Sequence, residues 1–215
     1  MILSRKEFES RYDADRLKIA FIGMSNIGKS YTASRLQSVY DFKSIEIDDL
    51  IIEALGETSM AGFAAWQGQP YEDGYAAREA RSIALETQAV SQALLSATRN
   101  TLIDTPGSVI YTDTSVLKDL KNECLIVYIR AQEDDIERLK RDYFENPKPL
   151  IWKDYYKPDP KLTDFENILA CFPDLLTARS ESYAALADIT LDADFIIDPD
   201  TTPKDLFSAL LPPIQ

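Results

Sequence analysis

Histidine is absent from the 215-residue sequence, and cysteine occurs only at Cys124 and Cys171. Without histidine there is no Ser-His-Asp or Cys-His catalysis, no imidazole general base and almost no route to a zinc enzyme. Two cysteines far apart in the chain, with no C-x-x-C pair, make no disulfide framework. Both are expected to be buried thiols that act as small core hydrophobes. Positive charge is scarce, with 23 Lys and Arg against 36 Asp and Glu, a formal net charge of −13 and no basic block. Nucleic-acid binding draws on Lys and Arg contacts with phosphates, so no nucleic-acid partner is expected. No apolar run reaches the ~18 residues a membrane span requires. The opening residues, Met1 to Glu9, lack a signal peptide's apolar stretch. A soluble, cytoplasmic protein with no membrane partner is the expectation. The remaining chemistry falls to Lys, Arg, Asp, Glu, Ser, Thr, Tyr and a borrowed ion or nucleotide.

What is present is core-forming material, 45% hydrophobic residues, in a length that suits one domain over 1–215. A polar N-terminal extension, 1–16, opens with the capping-box pair Ser4 and Glu7 on a short docked helix. Apolar strands are expected at 17–22, 44–47, 101–103, 125–129 and 189–197. Helical patterns lie between them at 28–38, 49–54, 59–67, 72–98, 113–121, 133–142 and 174–187, with a last one at 203–210. A Pro- and aromatic-rich segment, 143–163, interrupts the regularity. Strands alternating with helices predict a parallel sheet covered on both faces, with ligands at the carboxyl ends of its strands.

The first strand runs straight into Gly23-Met-Ser25-Asn26-Ile27-Gly28-Lys29-Ser30, a complete G-x-x-x-x-G-K-S, with Tyr31 next inside the following helix. Its glycines let the backbone fold N–H groups inward around phosphate oxygens, and the helix aims its free N–H groups at the same anion. Lys29 is placed to reach the β- and γ-phosphates, and the Ser30 hydroxyl to ligate Mg²⁺. Asp104 closes the third strand, where a carboxylate would meet that ion; a turn-capping role through Thr105 to Gly107 is the other reading of the same residue. Asp104-Thr-Pro-Gly107 has the form of a GTPase D-x-x-G. The N-K-x-D guanine motif is missing, because Ile129 is followed by Arg130-Ala-Gln-Glu133.

From the phosphate loop onward the sequence resembles the shikimate kinase family of small-metabolite P-loop kinases, over about residues 17–198. The family's D-x-D-x-x-I run is matched by Glu46-Ile-Asp48-Asp-Leu-Ile51. The resemblance implies that Asp48 binds the acceptor hydroxyl and takes part in removing its proton, with Glu46 beside the metal's water shell. An acidic helix start favoured by the helix dipole explains the same residues without chemistry. Arg141, seven residues before Lys148-Pro-Leu-Ile151, resembles the family's adenine-packing Arg and mobile R-P-L-L lid, which implies that Lys148 closes over the phosphates. Arg179 to Tyr183, followed by Ala187-Asp188, resembles R-x-x-x-Y-x-x-x-A-D and implies that Arg179 holds the acceptor's carboxylate. Arg179 and Tyr183 are also i,i+4 neighbours that could simply pack.

Three departures concern the acceptor. Ala76 stands where the F-R-x-x-E pattern has its arginine, with Arg78 nearby. Pro106-Gly107-Ser108 replaces a glycine triplet, which leaves Gly107 to approach the acceptor. Trp152, Tyr155 and Tyr156 lie among lysines in a lengthened lid, 142–163. The expected fold is a three-layer α/β/α P-loop domain with a central parallel sheet of about five strands. The expected activity is ATP- and Mg²⁺-dependent phosphorylation of a hydroxyl on a small, anionic metabolite, shikimate being one such acceptor. A nucleotide-binding relative without transfer and an NTPase switch acting on a protein partner are the alternatives.

Overall fold

The molecule is described by a computed structural model over residues 3–146 and 148–212, the side chains of residues 133 and 134 excepted. Met1 and Ile2 of the expected extension and Pro147 of the expected lid fall outside the described residues. Five strands form one sheet: β1 (Lys18–Ile22), β2 (Lys43–Glu46), β3 (Thr101–Asp104), β4 (Leu125–Arg130) and β5 (Ile189–Asp192). Their spatial order is β2-β3-β1-β4-β5 and every pairing is parallel. Helices cover both faces, which is why Ile19–Ile22 and Leu102–Ile103 are apolar without alternation and fully buried. Among the described residues no helix is long and apolar enough to cross a membrane.

Three elements set the site. Helix α2 (Lys29–Gln37) leaves the phosphate loop after β1, and α3 (Ile47–Leu55) leaves the end of β2. Helix α5 (Tyr75–Ser96) lies against α3. Register puts Phe21 and Glu46 on either side of Asp104, so the ends of β1, β2 and β3 are level. The N-terminal helix α1 (Arg5–Asp13) carries the expected capping box. Ser4 N–H donates to Glu7 at 2.8 Å, and Glu7 N–H donates to the Ser4 hydroxyl at 3.3 Å. Its Phe8 and Tyr12 rings meet Phe207 at 5.7 and 5.3 Å, docking the extension on the C-terminal helix. Cys124 and Cys171 are buried free thiols, and burial pushes Cys124 up to about 12.

Two elements differ from the sequence expectation. The apolar run Phe195-Ile-Ile197 continues not as strand but as a short helix, Ala193–Ile197, whose fully buried Ile196 packs toward the phosphate loop. The helix expected from 174 begins ten residues earlier, at Asp164. Thr163 and Glu166 form a capping box there, and Pro173 is carried inside the helix rather than opening it. Leu169, the residue whose carbonyl loses its helical donor to Pro173, is only partly buried and can be hydrated.

Candidate active site

Gly23 opens the phosphate loop with φ +142°, and a side chain there would place its Cβ 2.6 Å from the Ile129 carbonyl oxygen. Only glycine lets β1 turn against the end of β4 at this point. Asn26 follows at φ 62° and Gly28 at φ 109°, which folds Ser25 to Gly28 back over the start of α2. Lys29 is buried, and its ammonium donates to the Gly23 and Met24 carbonyls at 3.2 and 2.8 Å. Burial lowers its pKa, opposed by Asp104 and Asp48 and assisted by Lys148 and Arg179. The Ser30 hydroxyl donates to the Asp104 carboxylate. Thr105, not Asp104, makes the backbone-directed bond of the turn, its hydroxyl donating to the Phe21 carbonyl at 2.8 Å. Asp104 therefore spends itself on Ser30 rather than on capping.

Ser25, Asn26, Gly28, Lys29, Ser30 and Tyr31 line one cleft with Asp48, Asp104 and Lys148. A second cavity adjoins it and shares Ser25, Asp48 and Lys148; Gly107, Glu86 and Arg179 also line it. Asp48 sits in the first turn of α3, a place where the helix dipole alone would favour the ionised form. Burial outweighs that and raises it to about 6, with Lys29 and Lys148 pulling down and Asp104 and Glu46 pushing up. Glu46, at the largely exposed end of β2, is raised by partial desolvation and by Asp104 and Asp49, against the pull of Lys148. Ser30, Asp104 and Glu46 form an all-oxygen donor set of the kind Mg²⁺ uses when phosphates and waters complete its shell.

Arg179 is buried in α8 (Asp164–Leu186). It donates to the Ile151 carbonyl at 2.8 Å and lies 5.4 Å over the Tyr111 ring. Its Nε has no partner among the described residues. The Tyr183 hydroxyl, one helical turn on, donates to the Gly107 carbonyl and so holds the turn after β3. Any Cβ on Gly107 would come within 3.3 Å of Ser25 and of the Arg179 guanidinium.

Arg141 is exposed on α7 (Glu133–Glu145) and lines none of the clefts at the site. The arginine of α7 that touches the phosphate loop is Arg138, which donates to the Asn26 carbonyl at 3.2 Å and pairs with Asp135 at 2.7 Å. Ala76 is exposed, and Arg78 is tied to the Gln67 and Asp73 carbonyls and to Glu72. Neither residue reaches the cavity. Lys148 lines both clefts. Beyond it the lid is pinned. Trp152 and Lys153 N–H groups donate to Glu79 at 2.6 and 2.9 Å. The Leu150 carbonyl accepts from Gln67 and Tyr75, both at 2.6 Å, and the Trp152 ring is buried against Phe172 and Tyr156. These contacts anchor the segment that follows Lys148 to α5 and α8.

Glu86 is the residue that the sequence reading missed. It is 2% exposed on α5, accepts from the Ser108 hydroxyl at 2.5 Å, and is raised by burial to about 8. Its signal was a carboxylate one turn after Ser82 on the otherwise apolar stripe formed by Leu85, Ala89, Val90 and Ala93.

No family model matches the sequence, and no curated protein matches it. Solved structures do. Shikimate kinase from Bacteroides thetaiotaomicron aligns with TM-score 0.60 at 16% identity, over 90% of this chain and 94% of that one. The chain has the shikimate kinase fold. Shikimate kinase from Acinetobacter baumannii, solved in complex with shikimate, aligns at 0.59 and 18% identity, over 92% of this chain and 93% of that one. The Aquifex aeolicus shikimate kinase gives 0.58 and 18%, over 90% and 96%. Identities this low carry the shikimate kinase architecture and leave the acceptor to be argued from the cavity itself.

Proposed function

We propose that this protein transfers the γ-phosphoryl group of ATP to a hydroxyl of a small metabolite, in the manner of a shikimate kinase. The observation that carries the reading is the meeting of two clefts at Asp48 and Lys148, one lined by a phosphate loop and one by Glu86, Gly107 and Arg179. The loop amides and Lys29 hold the β- and γ-phosphates. Ser30, with Asp104 and Glu46, is the set that would hold Mg²⁺, which when bound neutralises charge on the transferring group. Asp48, poised near neutrality, orients the acceptor hydroxyl and takes its proton. Lys148 closes on the γ-phosphate as a point charge rather than a bidentate fork. Arg179 anchors the acceptor. Positioning and electrostatics supply the catalysis.

The test is ADP release from Mg-ATP with and without shikimate, with Lys29→Ala as the blank. Stimulated release in the parent protein and silence in the blank are expected if the acceptor is shikimate. Turnover by a folded Lys29→Ala protein equal to the parent's would overturn the kinase reading. Rapid ADP release without any acceptor would instead favour an NTPase.

A further inference from the structure

We infer that Glu86 determines acceptor specificity, taking a hydroxyl or ammonium group, so that the acceptor turns a hydrogen-bond donor and not a carboxylate toward this end of the cavity. The inference rests on the kinase reading and deepens it. Glu86 lines the cavity that also holds Asp48 and Arg179, yet its side chain is shielded from water. Ser108 occupies Oε2, and Oε1 has no hydrogen-bond partner among the described residues. A buried acceptor atom left unpaired is costly, and native proteins reserve such atoms for a purpose. A ligand donor would satisfy it.

The cations of the cavity point the same way. Lys148 and Arg179 are its only lining cations among the described residues, and Lys148 also borders the phosphate cleft. No second arginine accompanies Arg179, because Ala76 is exposed and Arg78 is consumed by Gln67, Asp73 and Glu72. Arg179 is itself partly spent on Ile151. A carboxylate placed opposite Glu86 would meet the charge of Asp48, and that of Glu86 wherever Glu86 is ionised, with one half-committed guanidinium to offset them. A hydroxyl meets no such repulsion, and an ammonium draws the carboxyl into its ionised form. In the free cavity burial holds Glu86 near 8, against the pull of Ser108, Arg179 and Lys29, with Asp48 adding to the rise.

Three probes separate the possibilities: myo-inositol for hydroxyls, 2-deoxystreptamine for ammonium groups, and shikimate for a carboxylate. Binding to the ADP–Mg²⁺ complex is measured by calorimetry, and ADP release from Mg-ATP is followed in parallel. Myo-inositol or 2-deoxystreptamine should bind the parent protein. Glu86→Met should weaken that binding by about tenfold or more, while ADP affinity stays unchanged. Glu86→Gln keeps the shape and an acceptor oxygen but not the charge. It should retain myo-inositol binding within a fewfold and lose 2-deoxystreptamine by about tenfold, which tells the two donor groups apart. Unchanged ADP affinity certifies that both variants are folded. Shikimate bound or phosphorylated equally by the parent and Glu86→Met proteins, or no Glu86-dependent binding by any probe, overturns the inference while leaving the kinase reading intact. Glu86-dependent binding without ADP release by any probe has the opposite result: the inference stands and the kinase reading loses support.

Discussion

Replacing Asp48 by asparagine should yield a protein that is more stable and no longer transfers phosphate. Burial moves this carboxyl from 3.8 to about 6. At about 1.4 kcal/mol per tenfold change, that difference is worth about 3 kcal/mol against the ionised native state. The folded pKa lies above the unfolded one, so folding takes up a proton between the two values, and the penalty grows as pH rises through that window. It is absent well below 3.8, under about 1 kcal/mol at pH 4, and close to its full value at pH 7. Asparagine carries no such penalty. Urea unfolding of the parent and Asp48→Asn proteins at pH 4 and pH 7 should therefore show a gap at pH 7 that nearly closes at pH 4. The groups that share the field are Lys29 and Lys148, which favour the charge, and Asp104 and Glu46, which oppose it. Turnover should fall by about 10²–10⁴, the usual contribution of a positioned proton acceptor, and the parent's rate should rise with pH through about 6. An asparagine variant less stable than the parent at pH 7, or equally active, would refute the assignment.

Lys148→Ala should lower turnover more than nucleotide affinity, because the lysine borders the clefts while Lys29 and the loop amides bind the phosphates; equal effects on kcat and on ADP binding would remove it from the transfer step. Glu79→Ala removes the carboxylate that accepts from the Trp152 and Lys153 N–H groups and should cost about 2–3 kcal/mol. Amide exchange at residues 152 and 153 should speed up in that variant, and unchanged protection there would show that the aromatic packing alone pins the lid.

The phosphate loop and the sheet could be read from the chain because their determinants are local. A G-x-x-x-x-G-K-S behind an apolar strand states its own geometry, and Gly23 is demanded by a carbonyl 2.6 Å from where its Cβ would be. The run after β5 was ambiguous, since Phe195-Ile-Ile197 suits a strand as well as a helix. What decided it was a tertiary contact, Ile196 facing Gly28 across the phosphate loop. The helix read from 174 starts at Asp164, where the Thr163–Glu166 capping box marks its beginning, and Pro173 lies inside it. Arg141 and Arg138 lie three positions apart on one helix, and motif order does not say that Arg138 is the one that meets the phosphate loop. Glu79 and Trp152 meet across 73 positions and Glu86 meets Ser108 across 22. No pattern in the sequence announces those meetings.

On the kinase reading, contacts already made explain how a −13 chain can keep an anion site ready. Lys29 rests on two loop carbonyls, Ser30 on Asp104 and Arg179 on Ile151, so the polar groups assigned to the ligands are held by one another beforehand. Binding then exchanges partners instead of ordering loose side chains, which spares much of the entropy of immobilising them. The site's acids belong to the same arrangement. Asp48 and Asp104 offset the mutual repulsion of Lys29, Lys148 and Arg179. Glu86 alone keeps an oxygen for which the protein supplies nothing among the described residues. With the Arg179 Nε it is one of two buried atoms lining this cavity that are left unmatched among the described residues, and a donor from the acceptor is the partner it lacks.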